Sequence, residues 1–492
     1  MPSPAAEARV KSVDEETVDR VGRAGSLLWL LVIVALGAGL RLSGVDHKSF
    51  WIDEIASVAI ARRSAPVFWH FLWHDEGNMA LYYVLLRPWL RLGYGEGTVR
   101  LLSVLPGILS IPVMYLLGGR WFGRRSGILA AALLALSPCA IGVSQEARAY
   151  SFLVLAVLLS TYLFVRLIEK PGYALAAGYG IVTGLTCYFH YFGILVPAAH
   201  AVSLLAMPRR RRPWKPLLLA VAIIIVMASP ILWLMHAQNI GHISWVRPTS
   251  WLELYHLGVF LAASGGKAVG AVLVALELTL VGFFAARYIR GWRAGNGDLA
   301  RWRYGLVASL LVSPIVITLL VSMVRPVFYH RFLIICLPGW LLMIALGIEQ
   351  IRSRGWRTAA IAGVCLLSLA STVILYRHVS EDWRGAVTYL IAKARSGDRV
   401  LYYQSVGEFA GESYRDWLPG GNQMRPAPVA VNPATMNWYG EVDHAPRVWL
   451  VLYRAKPDGP ESQRIEGELA KQYRLNQQQS FRGVSVLEYN AK

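Results

Sequence analysis

Long apolar segments alternate with short polar connections through most of the chain. As a helix, each segment is long enough to cross the roughly 30 Å hydrocarbon layer of a membrane. By this criterion there are about eleven, at 26–42, 100–118, 127–143, 150–168, 173–189, 191–207, 215–235, 267–287, 304–324, 331–350 and 357–376. The pattern predicts an all-α polytopic membrane domain over residues 26–378.

The polar stretch at 43–99 separates the first two predicted spans and is too long for a simple turn. Within it, residues 79–92 form an apolar run that is short and is interrupted by arginine and proline. Such a run fits a helix lying at the membrane interface better than a spanning helix. Residues 56–73 are a second candidate, so we predict interfacial helices in this first outer loop.

The composition changes near residue 379. Beyond it, the apolar runs shorten to strand length at 399–403, 448–453 and 484–489, and helix-like segments lie near 383–396 and 461–474. Short apolar runs bounded by polar segments are typical of strands in a sheet. Residues 379–492 are therefore predicted to form a small α/β domain.

The charge pattern predicts the orientation. The net charge is +19, although only 16% of the residues are charged. Basic residues concentrate in alternate connections, among them 119–125, 209–215 and 352–357, as expected of cytoplasmic loops. This predicts a multi-pass plasma (inner) membrane protein with a cytoplasmic N-terminal tail, residues 1–25, and an extracytoplasmic C-terminal domain. Because the basic residues lie at the ends of apolar segments, we expect no nucleic-acid binding.

Two adjacent carboxylates, Asp53 and Glu54, follow the first span between Trp51 and Ile55. If this segment is helical, their side chains diverge by about 100° and can hold different partners. One could accept a proton from a substrate hydroxyl while the other binds a cation or a hydrogen-bond donor. The alternative is a solvated turn after a membrane helix.

Two further charged groups lie at predicted outer junctions between spans. Glu146 and Arg148 join two spans with almost no loop, and His330 and Arg331 open another. An arginine there can bind two phosphate oxygens with parallel hydrogen bonds. The alternatives are an intramolecular ion pair and an interfacial anchor.

A fourth group, His74, Asp75 and Glu76, precedes the apolar run at 79–92, where acidic residues also serve as ordinary helix N-terminal charges. All four groups are predicted on the same side of the membrane, which favours one common cleft. The cysteines and histidines lack metal-ligand or disulfide spacing, so neither a metal site nor a disulfide framework is predicted.

Several segments together resemble the bacterial GT-C glycosyltransferases, in the branch of the protein O-mannosyltransferases, the aminoarabinose transferases of lipid A and the Rgt-type enzymes. These segments are 81–93 (LYYVLLRPWLRLG), 99–103, 118–123, 144–150 and 190–192. The likeness covers about residues 26–350. Met79 and Ala80 stand where many members have two prolines.

The resemblance implies an inverting transfer of a sugar from a polyprenyl monophosphate to a hydroxyl of a lipid, glycan or protein, on the outer face and without a cofactor. It implies that the acidic pair supplies the catalytic carboxylate: Asp53 as the base, with Glu54 orienting the acceptor or Asp53. Arg331, with His330 or Arg148, would hold the phosphate. The remaining candidates would bind the acceptor or shape the site: Glu146, His74, Asp75, Glu76 and Tyr82.

Two other functions are alternatives to a transferase. A transporter or lipid flippase would place ionisable residues near the bilayer midplane, whereas the acidic residues here cluster at one predicted face. A membrane sensor built on the C-terminal domain is the second alternative, but that domain carries no recognisable motif. As an accessory to a transferase, the domain is expected to help bind the acceptor.

Overall fold

The computed structural model describes residues 24–237, 245–263, 267–294, 297–378, 380–395, 397–418, 427–431, 442, 445–460 and 462–492. The predicted cytoplasmic tail lies outside these ranges except for residues 24 and 25.

The described residues are mostly helical. The α-helices are α1 (Ala24–Leu42), α2 (Ile52–Arg62), α3 (Ala65–His74), α4 (Ala80–Trp89), α5 (Glu96–Phe122), α6 (Arg124–Leu136), α7 (Pro138–Ser144), α8 (Tyr150–Glu169), α9 (Tyr173–Phe189), α10 (Leu195–Ser203), α11 (Trp214–Ala237), α12 (Trp251–Ala262), α13 (Lys267–Arg293), α14 (Asp298–Ser322), α15 (Leu337–Glu349), α16 (Arg354–Arg377), α17 (Trp383–Lys393), α18 (Ser405–Trp417) and α19 (Gln463–Gln472).

Within the described ranges, eight helices are long and apolar enough to cross a membrane: α1, α5, α8, α11, α13, α14, α16, and α15 together with the 3₁₀ turn His330–Cys336 before it. A ninth is possible if α6 and α7, bent by 56° at their junction, form one span. This confirms a multi-pass membrane protein. The apolar helices Tyr173–Phe189 and Tyr191–Ala206 are shorter than a full span, so the count of eleven is not confirmed.

The bend between α6 and α7 has a local cause. Pro138 opens α7 and has no backbone N–H to continue the hydrogen bonding of α6. The Ser137 hydroxyl instead caps the new helix by accepting a hydrogen bond from the Ala140 N–H at 3.2 Å.

The predicted first outer loop contains three short helices, α2, α3 and α4. The run predicted as one helix at 56–73 is instead broken near Arg63, whose backbone leaves the helical conformation. The helix predicted at 79–92 is observed as α4 followed by the 3₁₀ turn Leu90–Leu92. The loop is therefore ordered structure, as its patterning predicted.

The C-terminal segment forms one five-stranded sheet in the order β2-β1-β3-β5-β4. Its strands are β1 (Arg399–Tyr403), β2 (Ala427–Val431), β3 (Arg447–Tyr453), β4 (Tyr473–Phe481) and β5 (Val484–Ala491). Strand β1 pairs in parallel with β2 and β3, while β5 pairs antiparallel with β3 and β4. The small α/β domain is thereby confirmed.

The fold divides into two compact units. The first comprises the described residues up to Ser43, Trp69–Tyr82 and Leu101–Leu375. The second comprises Gly44–Phe68, Tyr83–Arg100 and Tyr376–Lys492. The acidic pair thus belongs to the same unit as the C-terminal sheet. The domain boundaries at 25/26 and 378/379 stay a prediction.

Candidate functional site

The acidic pair opens α2 in the second unit. Trp51 is the extended residue before the helix, and Asp53 and Glu54 lie in the first helical turn. Carboxylates there are favoured by the partial positive charge of the helix N-terminus. The predicted divergence is observed: Glu54 is 0% exposed, whereas Asp53 is partly exposed.

Glu54 is bound by the guanidinium of Arg100. Arg100 Nε and Nη2 donate to the two carboxylate oxygens of Glu54, each at 2.7 Å. The remaining Arg100 donors bind the carbonyls of Val45, Lys48 and Ser49 at 2.7–3.1 Å. One arginine therefore ties the start of α2 to the loop before it. For Glu54, this geometry favours the predicted role of orienting Asp53 over that of orienting the acceptor.

Tyr414, on α18 of the C-terminal domain, binds the same loop. Its hydroxyl accepts the Phe50 N–H at 2.6 Å and lies 3.1 Å from the Ser49 hydroxyl. It donates to the Glu96 carboxylate at 3.1 Å. Burial and the negative charge of Glu96 raise the pKa of Tyr414, so its proton is held for this hydrogen bond.

In the first unit, two predicted outer junctions meet. Arg331, in the 3₁₀ turn before α15, forms an ion pair with Glu146, which lies between α7 and α8. The Arg331 guanidinium also lies over the ring of Tyr150, 5.1 Å from its centroid. Arg148 is close by in sequence, and its carbonyl accepts the Ser103 hydroxyl at 3.0 Å. Glu146 therefore forms its ion pair with Arg331 of the other junction, although Arg148 lies nearer in sequence.

His190 lies against this group. Its ring centroid is 6.0 Å from that of Tyr150 and 4.9 Å from that of Phe332. Its Nδ1 accepts the Phe192 N–H at 3.2 Å, while the buried Nε2 has no hydrogen-bond partner among the described residues. If Nδ1 accepts, the proton of the neutral imidazole is on Nε2, which can then donate to a ligand oxygen.

The remaining predicted residues differ in exposure. His74 and Asp75 are exposed and Glu76 is partly exposed. Their segment reaches the His190 region, because Asn78 accepts the Tyr191 N–H at 3.1 Å. Tyr82 is fully buried against Phe152, and its hydroxyl lies 3.5 Å from that of Ser103, so its role in shaping the site stays a prediction.

His330 contributes to a different cluster. Donor atoms of Glu253, His256 and His330 all lie within 4.8 Å of one another. Two imidazoles and a carboxylate are a ligand set that suits a divalent transition metal. The absence of a metal stays a prediction. A divalent ion, if one binds, would find its ligands in Glu253, His256 and His330. Sequence spacing could not reveal it, because His330 is far from α12 along the chain.

Comparisons with known proteins bear on the fold. Residues 81–234 match the family described as dolichyl-phosphate-mannose-protein mannosyltransferase. No curated protein matches the sequence.

Three solved structures are similar along most of the chain. ArnT from Cupriavidus metallidurans bound to undecaprenyl phosphate has 15% identity and a TM-score of 0.62, over 94% of this chain and 98% of that one. The archaeal oligosaccharyltransferase AglB from Archaeoglobus fulgidus, in complex with an inhibitory peptide and a dolichol-phosphate, has 12% identity and a TM-score of 0.52, over 87% and 69%. The arabinofuranosyltransferase AftD from Mycobacteria has 15% identity and a TM-score of 0.50, over 94% and 41%.

The chain has the GT-C-like fold of ArnT. At these identities the structural likeness shows the fold alone. It extends through the C-terminal domain as well, since nearly the whole length of ArnT is covered.

Sequence reasoning missed the partners of the predicted residues. Arg100 and His190 lie in segments of the family resemblance but were given no role in the site, and Tyr414 was not singled out. No local signal marks Arg100 or Tyr414, because each is defined by a contact with a residue distant in sequence. The predicted common cleft of all four groups stays a prediction.

Proposed function

We propose that this chain is an integral-membrane glycosyltransferase that moves a sugar from a polyprenyl-phosphate carrier to a hydroxyl acceptor. The observation that carries the proposal is the different environment of the two carboxylates of α2. Glu54 is buried and bound on both oxygens by Arg100, whereas Asp53 is partly exposed one residue away. The Glu54 carboxylate holds the start of α2 in place, and the Asp53 carboxylate is accessible to a substrate.

In the proposed reaction Asp53 is the general base. As the acceptor hydroxyl attacks the anomeric carbon, its proton passes to the Asp53 carboxylate. A new C–O bond forms on the face opposite the carrier, which inverts the configuration of that carbon. The bond between the sugar and the phosphate breaks, and its electron pair remains on the departing phosphate oxygen. Positioned base catalysis typically contributes about 10²–10⁴-fold.

Arg331 is proposed to bind the carrier phosphate. Glu146 and the ring of Tyr150 hold its guanidinium in one orientation, and a planar guanidinium can place parallel N–H groups on two phosphate oxygens. Stabilising the developing phosphate charge in this way lowers the barrier to departure. His190, whose Nε2 has no partner among the described residues, is a further candidate donor to this anion. We propose no role for a metal ion in this step.

Two findings support a lipid-linked donor. The matched family is described by a dolichyl-phosphate-mannose donor, and the similar ArnT and AglB structures hold undecaprenyl phosphate and dolichol-phosphate. A panel of polyprenyl-phosphate sugars offered to purified protein in nanodiscs would identify which sugar donor is consumed.

The decisive experiment is Asp53→Asn assayed with the donor that this panel identifies. The variant should fold and insert normally but lose transfer by about 10²-fold or more. Asp46→Asn is the matched control, because Asp46 is an exposed carboxylate of the same loop. Wild-type turnover by Asp53→Asn would refute the role of Asp53. Movement of a labelled lipid without any sugar transfer would favour a flippase instead.

A further inference from the structure

The C-terminal domain binds the first turn of α2 through a buried carboxylate. Glu381 is 2% exposed, and its Oε2 accepts the Ile52 N–H at 3.0 Å. Ile52 is the first residue of α2, so this N–H has no acceptor within the helix. Glu381 therefore fills the position of a capping side chain, although it comes from a domain more than three hundred residues further along the chain.

The Glu381 carboxylate is itself held by three donors of the C-terminal segment. Oε2 also accepts the Trp383 Nε1–H at 3.1 Å. Oε1 accepts the Tyr453 hydroxyl at 2.7 Å and the Arg454 guanidinium at 2.9 Å. With four donors the buried charge is fully hydrogen-bonded, which fixes its geometry. A carboxylate at this point also interacts favourably with the N-terminus of α2.

Arg454 is the charged donor of this network. Its backbone has φ +54, a conformation that costs energy in a non-glycine residue, and its N–H donates to the Gly483 carbonyl at 3.0 Å. Its side chain remains 63% exposed. Burial by itself lowers the pKa of Arg454, but the interactions with Tyr453, Glu381 and Asp53 outweigh it and raise that pKa. The charged guanidinium therefore binds the Glu381 carboxylate and interacts electrostatically with Asp53.

We infer that Glu381 and Arg454 are positioning residues for Asp53, so that the C-terminal domain is an integral part of the site. Glu381 fixes the turn that carries Asp53, and Arg454 holds the Glu381 carboxylate in place. This inference rests on the proposed function of Asp53 as the base. It adds a direct structural role in the site to the expected role of the domain in binding the acceptor. Misplacing a reacting group by about 1 Å can cost about 10²-fold in rate.

The test combines two readouts on full-length protein in nanodiscs. Amide exchange of residues 51–56 should rise about tenfold in Glu381→Ala, because the bond from Ile52 to a charged acceptor is lost. Glu381→Gln retains an acceptor oxygen and should give a smaller increase. Arg464→Gln is the matched control, because Arg464 is an exposed arginine of the same domain, and its exchange should match the wild type.

In the transfer assay, Glu381→Gln and Arg454→Gln should lower kcat by about 10- to 100-fold while KM for the donor changes less than about threefold. Arg454→Lys should recover part of that loss, since it restores the charge. Unchanged exchange together with unchanged kcat in Glu381→Gln would overturn the inference. If the wild type transfers no sugar, the proposed function fails, while the exchange measurement still decides whether Glu381 holds α2.

Discussion

Arg100 holds the Glu54 carboxylate through two hydrogen bonds of 2.7 Å, and both side chains are almost completely buried. Burying two charges is costly unless the geometry of the pair compensates for the lost hydration. Here the guanidinium is bidentate, and its other donors bind three carbonyls of the preceding loop. The result is a turn next to Asp53 in which both oxygens of the Glu54 carboxylate are bound by Arg100.

Removing one member of this pair should destabilise the protein strongly. Arg100→Met leaves Glu54 buried without its partner, so the free energy of unfolding should fall by about 3–5 kcal/mol. Denaturant titration of the purified protein in detergent would measure the change. The double variant Glu54→Gln with Arg100→Met should recover part of the loss, since no buried charge then remains unpaired.

An exposed ion pair of the same chain provides the control. Arg120 binds Glu169 at 2.6 Å, but the arginine side chain is partly exposed. Arg120→Met should therefore cost no more than about 1 kcal/mol. Equal losses of unfolding free energy for Arg100→Met and Arg120→Met would show that burial does not raise the cost of breaking the Arg100–Glu54 pair.

Much of the membrane domain could be predicted, because a long apolar helix is specified by its own residues. The start of α2 is similar: the divergence of Asp53 and Glu54 follows from helical geometry alone. The strands β1, β3 and β5 were predicted because their residues are apolar and mostly buried. Strand β4 was missed, since its residues are nearly all exposed and give no apolar signal.

The partners within the site could not be predicted, for a different reason. Glu381 contacts Ile52, and Arg331 contacts Glu146, across long stretches of chain. Such pairs depend on how the elements pack, and neither residue of a pair has a local pattern that names the other. Type and position identified Arg331 as a candidate, but its orientation by Glu146 and Tyr150 required the structure.

Arg331 should be sensitive even to a charge-conserving substitution. Lysine keeps the positive charge but lacks the planar fork, so Arg331→Lys should lower kcat by about tenfold and Arg331→Gln by about 10²- to 10³-fold. Steady-state transfer with the identified donor would measure both. Arg325→Gln is the control, because Arg325 is an exposed arginine at the same junction. Equal rates for the lysine variant and the wild type would argue that only charge matters at this position.

Removal of divalent metal should leave transfer unchanged, since a monophosphate leaving group can be stabilised by Arg331 alone. The test is the initial rate after chelation, with added Zn²⁺ or Mn²⁺ as the comparison. If a metal ion does take part, Glu253, His256 and His330 are the residues at which we expect it to bind. A loss of activity on chelation that is restored by metal, and that is abolished in His256→Ala, would contradict the expectation and assign the ion to this trio.

The predicted orientation can be tested with single cysteines at two exposed arginines. Arg210 lies in the basic connection before α11, which the charge pattern places in the cytoplasm, and Arg464 lies on α19 of the C-terminal domain. In intact cells a membrane-impermeant maleimide should label Arg464→Cys but should label Arg210→Cys only after permeabilisation. The wild type provides the background, because Cys139, Cys187 and Cys336 are buried and Cys365 is partly exposed. The reverse labelling pattern would place α2 and its acidic pair on the cytoplasmic side with the C-terminal domain, because they share one compact unit.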